Sequence, residues 1–108
     1  MKNNTVLTKD FIANLLRTND AAVERAMVVL YERQTQDERS TSTTRHHNQR
    51  GFSSAHASKG SYYARWVRSG RRLTGHHLDR ARKIALHYTS QLLEAARDKA
   101  SKAMDQAA

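Results

Sequence analysis

Three observations predict an all-α protein, a small bundle of about four helices with a basic, partly flexible central loop. There is no proline, the four glycines all fall between positions 51 and 75, and apolar residues on either side recur at helical steps of three and four. A length of 108 residues suits a single helical domain over 1–108 with one modest core. Only 38% of residues are hydrophobic and 6% aromatic. Such a core is thin, built from Leu, Val, Ile and Ala, and leaves a place for added stabilisation by a partner or by a second copy in a homo-oligomer.

Thr8 followed by Phe11, Ile12, Leu15 and Leu16 reads as a short capped amphipathic helix ending near Arg17 and Thr18. Asn19 caps a second helix, whose apolar face is Val23, Met27, Leu30 and Tyr31 and whose first turns carry Asp20 and Glu24 near the positive end of the dipole. That helix is expected to reach about Glu38. Residues 39–52 are polar, rich in Ser and Thr, and end in Arg50-Gly51-Phe52, which predicts a flexible basic loop. Ser53 or Ser54 is placed to cap a third helix with a narrow small-residue face, Ala57, Gly60, Ala64 and Val67, and with Tyr63 and Trp66 at its edge. Ser69-Gly70 stops it. Leu73 as a hydrophobic staple and Thr74 as cap begin a long last helix along Leu78, Ala81, Ala85, Tyr88, Leu92 and Ala96, and the Ala- and Lys-rich residues 98–108 are expected to fray.

Absence of cysteine removes disulfides, thiolate catalysis and cysteine-type zinc sites. The longest apolar run, Ala26 to Tyr31, is far short of the roughly 20 residues of a spanning helix, and no basic-then-apolar leader pattern opens the chain, so no membrane partner and a cytoplasmic location are expected.

The net charge of +9 is uneven. Between Arg39 and Leu78 lie eight basic residues (Arg39, Arg45, Arg50, Lys59, Arg65, Arg68, Arg71 and Arg72) and no Asp or Glu, whereas the remainder is nearly neutral. Seven of the eight are Arg, which suits bidentate phosphate contacts and stacking on flat rings better than plain solvation does. Arg65 and Arg68 lie one turn apart and Arg71 and Arg72 continue into the turn, so the four form a row able to track a phosphate backbone. Tyr62 and Trp66 interleave with this row. Each is a stacking platform for an unpaired base, with core packing as the alternative for Trp66. Arg80, Arg82 and Lys83 extend the cationic surface if they face the same side.

A helix, a Gly-containing turn and a second helix invite comparison with the helix-turn-helix motif, but the turn is long and Gly75-His76-His77 is a weak start for a recognition helix. Five of the six His (His46, His47, His56, His76 and His77) share the basic segment. Adjacent His on a helix point apart, and no acid nearby orients a ring, so no metal and no other cofactor is expected. With no carboxylate in the segment, nuclease chemistry lacks its ligands and bases, and the chain is read as a non-enzyme. A His beside a phosphate gains a partner for its charged form.

The ordered set Leu30-Tyr31, Arg33-Gln34-Thr35, Glu38, Thr44, Asn48, Gly51-Phe52, Ala57, Ala64, Gly70, Leu73-Thr74, Ala81-Arg82, Tyr88 and Gln91-Leu92 resembles a small module recurring in bacteriophage and phage-like bacterial proteins, sometimes fused to larger DNA-processing proteins. It covers about residues 28–93. The resemblance implies a phage accessory protein working in the host cytoplasm and assigns no site; many such proteins carry Asp where this chain has His56.

Two expectations follow. The first is nucleic-acid binding, DNA or RNA, through Arg45, Arg50, Lys59, Tyr62, Arg65, Trp66, Arg68, Arg71 and Arg72, with affinity that falls steeply with salt. The second uses the same basic surface to dock on and inhibit an acidic host protein complex of defence or transcription.

Overall fold

Local hydrogen bonding starts the first two helices where the sequence predicts them. A computed structural model describes residues 7–41 and 51–107. The Thr8 hydroxyl accepts from the Phe11 N–H at 3.1 Å and opens α1, Lys9–Thr18. Asn19 both ends α1, its N–H donating to the Leu15 carbonyl at 2.9 Å, and caps α2, Asp20–Thr41, by accepting from the Ala22 N–H at 3.0 Å. One residue thus satisfies orphan groups of both helices and fixes a sharp corner between them.

Three more helices follow, α3 at Ala57–Arg68, α4 at Gly75–Leu86 and α5 at Thr89–Ala107, and every element among the described residues is helical. None of them is long and apolar enough to cross a membrane. Helix α2 is the axis of the bundle, packing on all four others and most extensively on α3, while α1 closes against α5 and α4. Val23, Met27 and Leu30 of α2 are fully buried with Tyr63 and Ala64 of α3 and Ala81 and Ala85 of α4, and Ile12, Leu16, Leu92 and Leu93 extend the same core between α1 and α5. Small residues on α3 and α4 let those backbones approach α2 closely, so a sequence with few large apolar side chains still fills its interior.

The predicted last helix is two helices. At its middle the His87 N–H bonds to Ile84 O at 3.0 Å and the Tyr88 N–H to Ala85 O at 2.9 Å, a tightened turn that ends α4, after which the Leu92 N–H bonds to Tyr88 O at 2.9 Å and starts α5. Neither proline nor glycine causes the break. The bend carries the Tyr88 hydroxyl to Ser53, where it accepts from the backbone N–H at 2.9 Å and lies 3.0 Å from the side-chain oxygen, and to His56 Nδ1 at 2.7 Å. The backbone N–H groups of His87 and Tyr88 keep partners three residues back, and the Tyr88 hydroxyl adds the tertiary bonds. The α5 backbone stays helical to Ala107, through the residues expected to fray.

The predicted loop also differs at both ends. Helix α2 runs on to Thr41, and Gly51 and Phe52 are buried. The Gln91 side chain takes both polar groups of Gly51, accepting from its N–H at 2.7 Å and donating to its carbonyl at 2.9 Å, while Gln34 Oε1 accepts from the Phe52 N–H at 3.2 Å. Gly51 is required there: its φ is +85°, and a Cβ would run into Gln34. Arg45 and Arg50, with His46 and His47, lie outside the described residues. Neither Ser53 nor Ser54 caps α3, which starts at Ala57 behind His56 with no side-chain cap; the Ser53 carbonyl accepts from the His56 N–H at 3.0 Å.

Candidate nucleic-acid interface

Helix α3 sorts its residues by angle. At about 100° per residue, Gly60, Tyr63, Ala64 and Val67 share the side that meets α2, which leaves Tyr62 and Arg65 near the centre of the opposite side and puts Lys59 and Trp66 on one flank, Arg68 on the other. Tyr63, expected at the edge, is therefore fully buried. A buried phenol needs a polar partner, and its hydroxyl lies 3.3 Å from His77 Nδ1 on α4.

The flank of α3 nearest α4 holds a run of flat groups. Tyr62 meets Trp66 edge-on at 5.5 Å, the Trp66 ring lies 5.0 Å from His77, and His77 lies 4.2 Å from His76. Gly70, with φ +93°, turns the chain after α3, and Arg71 then folds back so that its guanidinium sits 4.5 Å from the Trp66 ring centre. Lys59 stands 6.0 Å from the Tyr62 ring, and Arg68 reaches Tyr31 of α2 at 5.8 Å. Trp66 is half-buried, with its indole Nε1 buried and unpartnered, and its ring is already stacked by Arg71 and packed by His77. Of the two proposed platforms, only Tyr62 presents an open ring, at 46% exposure.

Among the described residues no carboxylate pairs with Lys59, Arg65, Arg68, Arg71 or Arg80, and the side chains of all five are exposed. His77 registers the crowding of cations: burial lowers its pKa below the ordinary 6.5, and the neighbouring charges of His76, Arg80 and Lys59 lower it further. Arg80 thus faces the side on which the sequence reading let it extend the cationic surface, and the His76–His77 pair of the same basic segment lies beside it.

One arginine leaves the expected row and another leaves its expected extension. Arg72 Nε donates to both oxygens of Glu24 at 2.9 and 3.1 Å, and the second oxygen also accepts from the buried Leu73 N–H at 2.8 Å. Glu24 is itself buried, so it serves as the anchor of the α3–α4 connection rather than as a dipole partner at the start of α2. Arg82 donates from Nε to Leu16 O at 2.8 Å, capping the end of α1, and pairs with Asp20 and with Asp79. It is a structural clamp and not part of the cationic face. Sequence reasoning missed Glu24 as a fold residue, and Arg33 as well, a buried guanidinium that pairs with Glu94 and leaves its Nε unpartnered.

No three His, Asp or Glu side chains converge on a metal position among the described residues. Comparison of the chain with protein-family models, with curated proteins and with solved structures finds no match. Function is therefore read from the surface itself.

Proposed function

We propose that this chain is a small basic phage-type accessory protein that binds nucleic acid through the phosphate backbone, without enzymatic chemistry, in the host cytoplasm. One observation carries the reading: Lys59, Arg65, Arg68, Arg71 and Arg80 stand exposed around α3 and the start of α4 and, among the described residues, no carboxylate pairs with any of them. Ordinary protein surfaces intersperse both signs. A single-sign patch rich in Arg favours an anionic polymer, because each phosphate it neutralises releases counterions.

The test is a triple replacement, Arg65→Gln, Arg68→Gln and Arg71→Gln. Arg72 is left intact because its partner Glu24 is buried and holds the Leu73 N–H. Gln preserves helix propensity, so the circular-dichroism spectrum should not change. Loss of three contacts should reduce the slope of log affinity against log salt by roughly two to three units. A folded triple variant with wild-type affinity and slope would end this reading. Recovery of an acidic host protein that depends on the same three arginines, with no nucleic acid bound, would assign the surface to that partner instead.

A further inference from the structure

Tyr62 is one of only two large hydrophobic side chains left exposed among the described residues, the other being Phe11 on α1. Nothing in the fold needs it there. Tyr63 and Trp66 already supply the aromatic packing between α3 and α4, and Tyr62 lies outside them, at the centre of the outer side of α3.

Its ring is nevertheless held. It is braced edge-on by Trp66 at 5.5 Å and 85°, and tilted against the fully buried Tyr63 at 5.6 Å and 47°. Trp66 is in turn fixed by the Arg71 guanidinium on one side of the assembly and by His77 on another. A flat apolar surface is thus ordered before any ligand arrives, which limits the entropy lost on stacking. Cations accompany it at the range of a nucleotide: the Lys59 ammonium lies over the ring, 6.0 Å from its centre, and Arg65 follows Tyr62 by three residues, one turn along the same helix.

From this we infer that the site takes single-stranded nucleic acid, one unpaired base stacking on the exposed ring of Tyr62 while Lys59 and Arg65 hold the flanking phosphates. The inference rests on the nucleic-acid reading above and adds the form of the strand. In a duplex both faces of each base are covered by its neighbours, so a tyrosine ring on a convex helix gains no stacking contact there. An unpaired strand offers the π-face of any base, and tolerance of sequence follows. A purely electrostatic duplex surface would use the same arginines and have no use for an ordered, exposed ring.

Trp66 is the sole tryptophan, which gives the test an internal reporter at the site. The full chain is titrated with oligothymidylate, with oligouridylate of equal length and with the oligothymidylate–oligoadenylate duplex, following Trp66 emission and the anisotropy of a labelled strand. Both single strands should bind more tightly than the duplex at one salt concentration and should quench Trp66. Tyr62→Ala should weaken strand binding by about 5- to 100-fold while leaving duplex affinity and the salt slope unchanged, and Tyr62→Phe should retain strand binding because stacking needs no hydroxyl. Equal affinity for strand and duplex, or undiminished strand binding by Tyr62→Ala, overturns the inference and leaves the phosphate-binding reading standing. Binding of neither polymer at low salt overturns both.

Discussion

Glu24 shows how one side chain can hold a connection that has no regular structure. Its carboxylate accepts from Arg72 and from the buried N–H of Leu73, forty-nine residues away in sequence. Glu24→Ala should destabilise the fold by about 1–3 kcal/mol, nearly all from stranding the Leu73 donor, since Arg72 is 69% exposed and returns to water. A denaturant midpoint unchanged from wild type would show that the connection is held by other means. His77 yields a second expectation at this scale. The groups facing it are Lys59, Tyr63 and Trp66 of α3 and His76 and Arg80 of α4. Its folded pKa is lowered, so below the ordinary value of 6.5 the unfolded chain binds the proton more readily than the native one. The contribution of His77 to stability is therefore fully present above that pH and is lost as pH falls below it. Between about pH 7 and 5 the melting temperature of the wild type should drop further than that of His77→Gln, whereas affinity for a polyanion should rise, because a bound phosphate supplies the missing counter-charge. Parallel pH profiles for the two proteins would exclude the effect.

At the scale of elements, α3 is fixed from behind by Phe52. A Cβ on Gly60 would stand 2.5 Å from the Phe52 ring, and Phe52 in turn meets Tyr88 edge-on at 5.8 Å. Gly60→Ala gains up to about 1 kcal/mol in helix propensity but overpacks a braced ring, which costs roughly 1–3 kcal/mol. The clash should win. Thermal unfolding is expected to show net loss, and a stabilised variant would mean that Phe52 can move aside. These contacts also mark where the sequence is readable. Thr8 and Asn19 announce their helices because a cap is a bond between residues three apart, and spacing places Val23, Met27 and Leu30 of α2 and Gly60 and Ala64 of α3 inside, but not Tyr63, Glu24 or Arg33. The bend at His87–Tyr88 does not, because nothing local demands it; Tyr88 leaves the helical path to meet Ser53 and His56 more than thirty residues earlier. Gly51 and Phe52 look like loop residues for the same reason, as their partners Gln34 and Gln91 come from two other helices. Of the site, the exposure of Lys59, Tyr62, Arg65, Arg68 and Arg71 agrees with the sequence reading, while the loss of Arg72 to Glu24 and of Arg82 to Leu16 and Asp20 depends on charges that only folding brings close.

Across the whole molecule, two polar contacts join helices more than sixty residues apart. Arg33 of α2 pairs with Glu94 of α5 across 61 residues, and Arg82 of α4 caps α1 at Leu16 across 66. Apolar contact follows the same plan, with α1 closing against α5. The cationic face, by contrast, is local, built from α3, the turn after it and the start of α4. Scaffold and surface are thus largely separate, which is why Arg65, Arg68 and Arg71 can be replaced to probe binding while Glu24 and Arg82 cannot be touched without disturbing the frame.

That long-range closure has a consequence during biosynthesis. Val23, Met27 and Leu30 need α3 and α4 to cover them, and Ile12 and Leu16 need α5, so the first two helices leave the ribosome with their apolar sides bare. At about 5–20 residues per second, the sixty or so residues that separate Arg33 from Glu94 take roughly 3–12 s to emerge. Within that interval α2 gains its cover as α3 and α4 emerge, whereas Ile12 and Leu16 of α1 stay bare until α5 arrives, so α1 is the part of the nascent chain left open to other contacts longest.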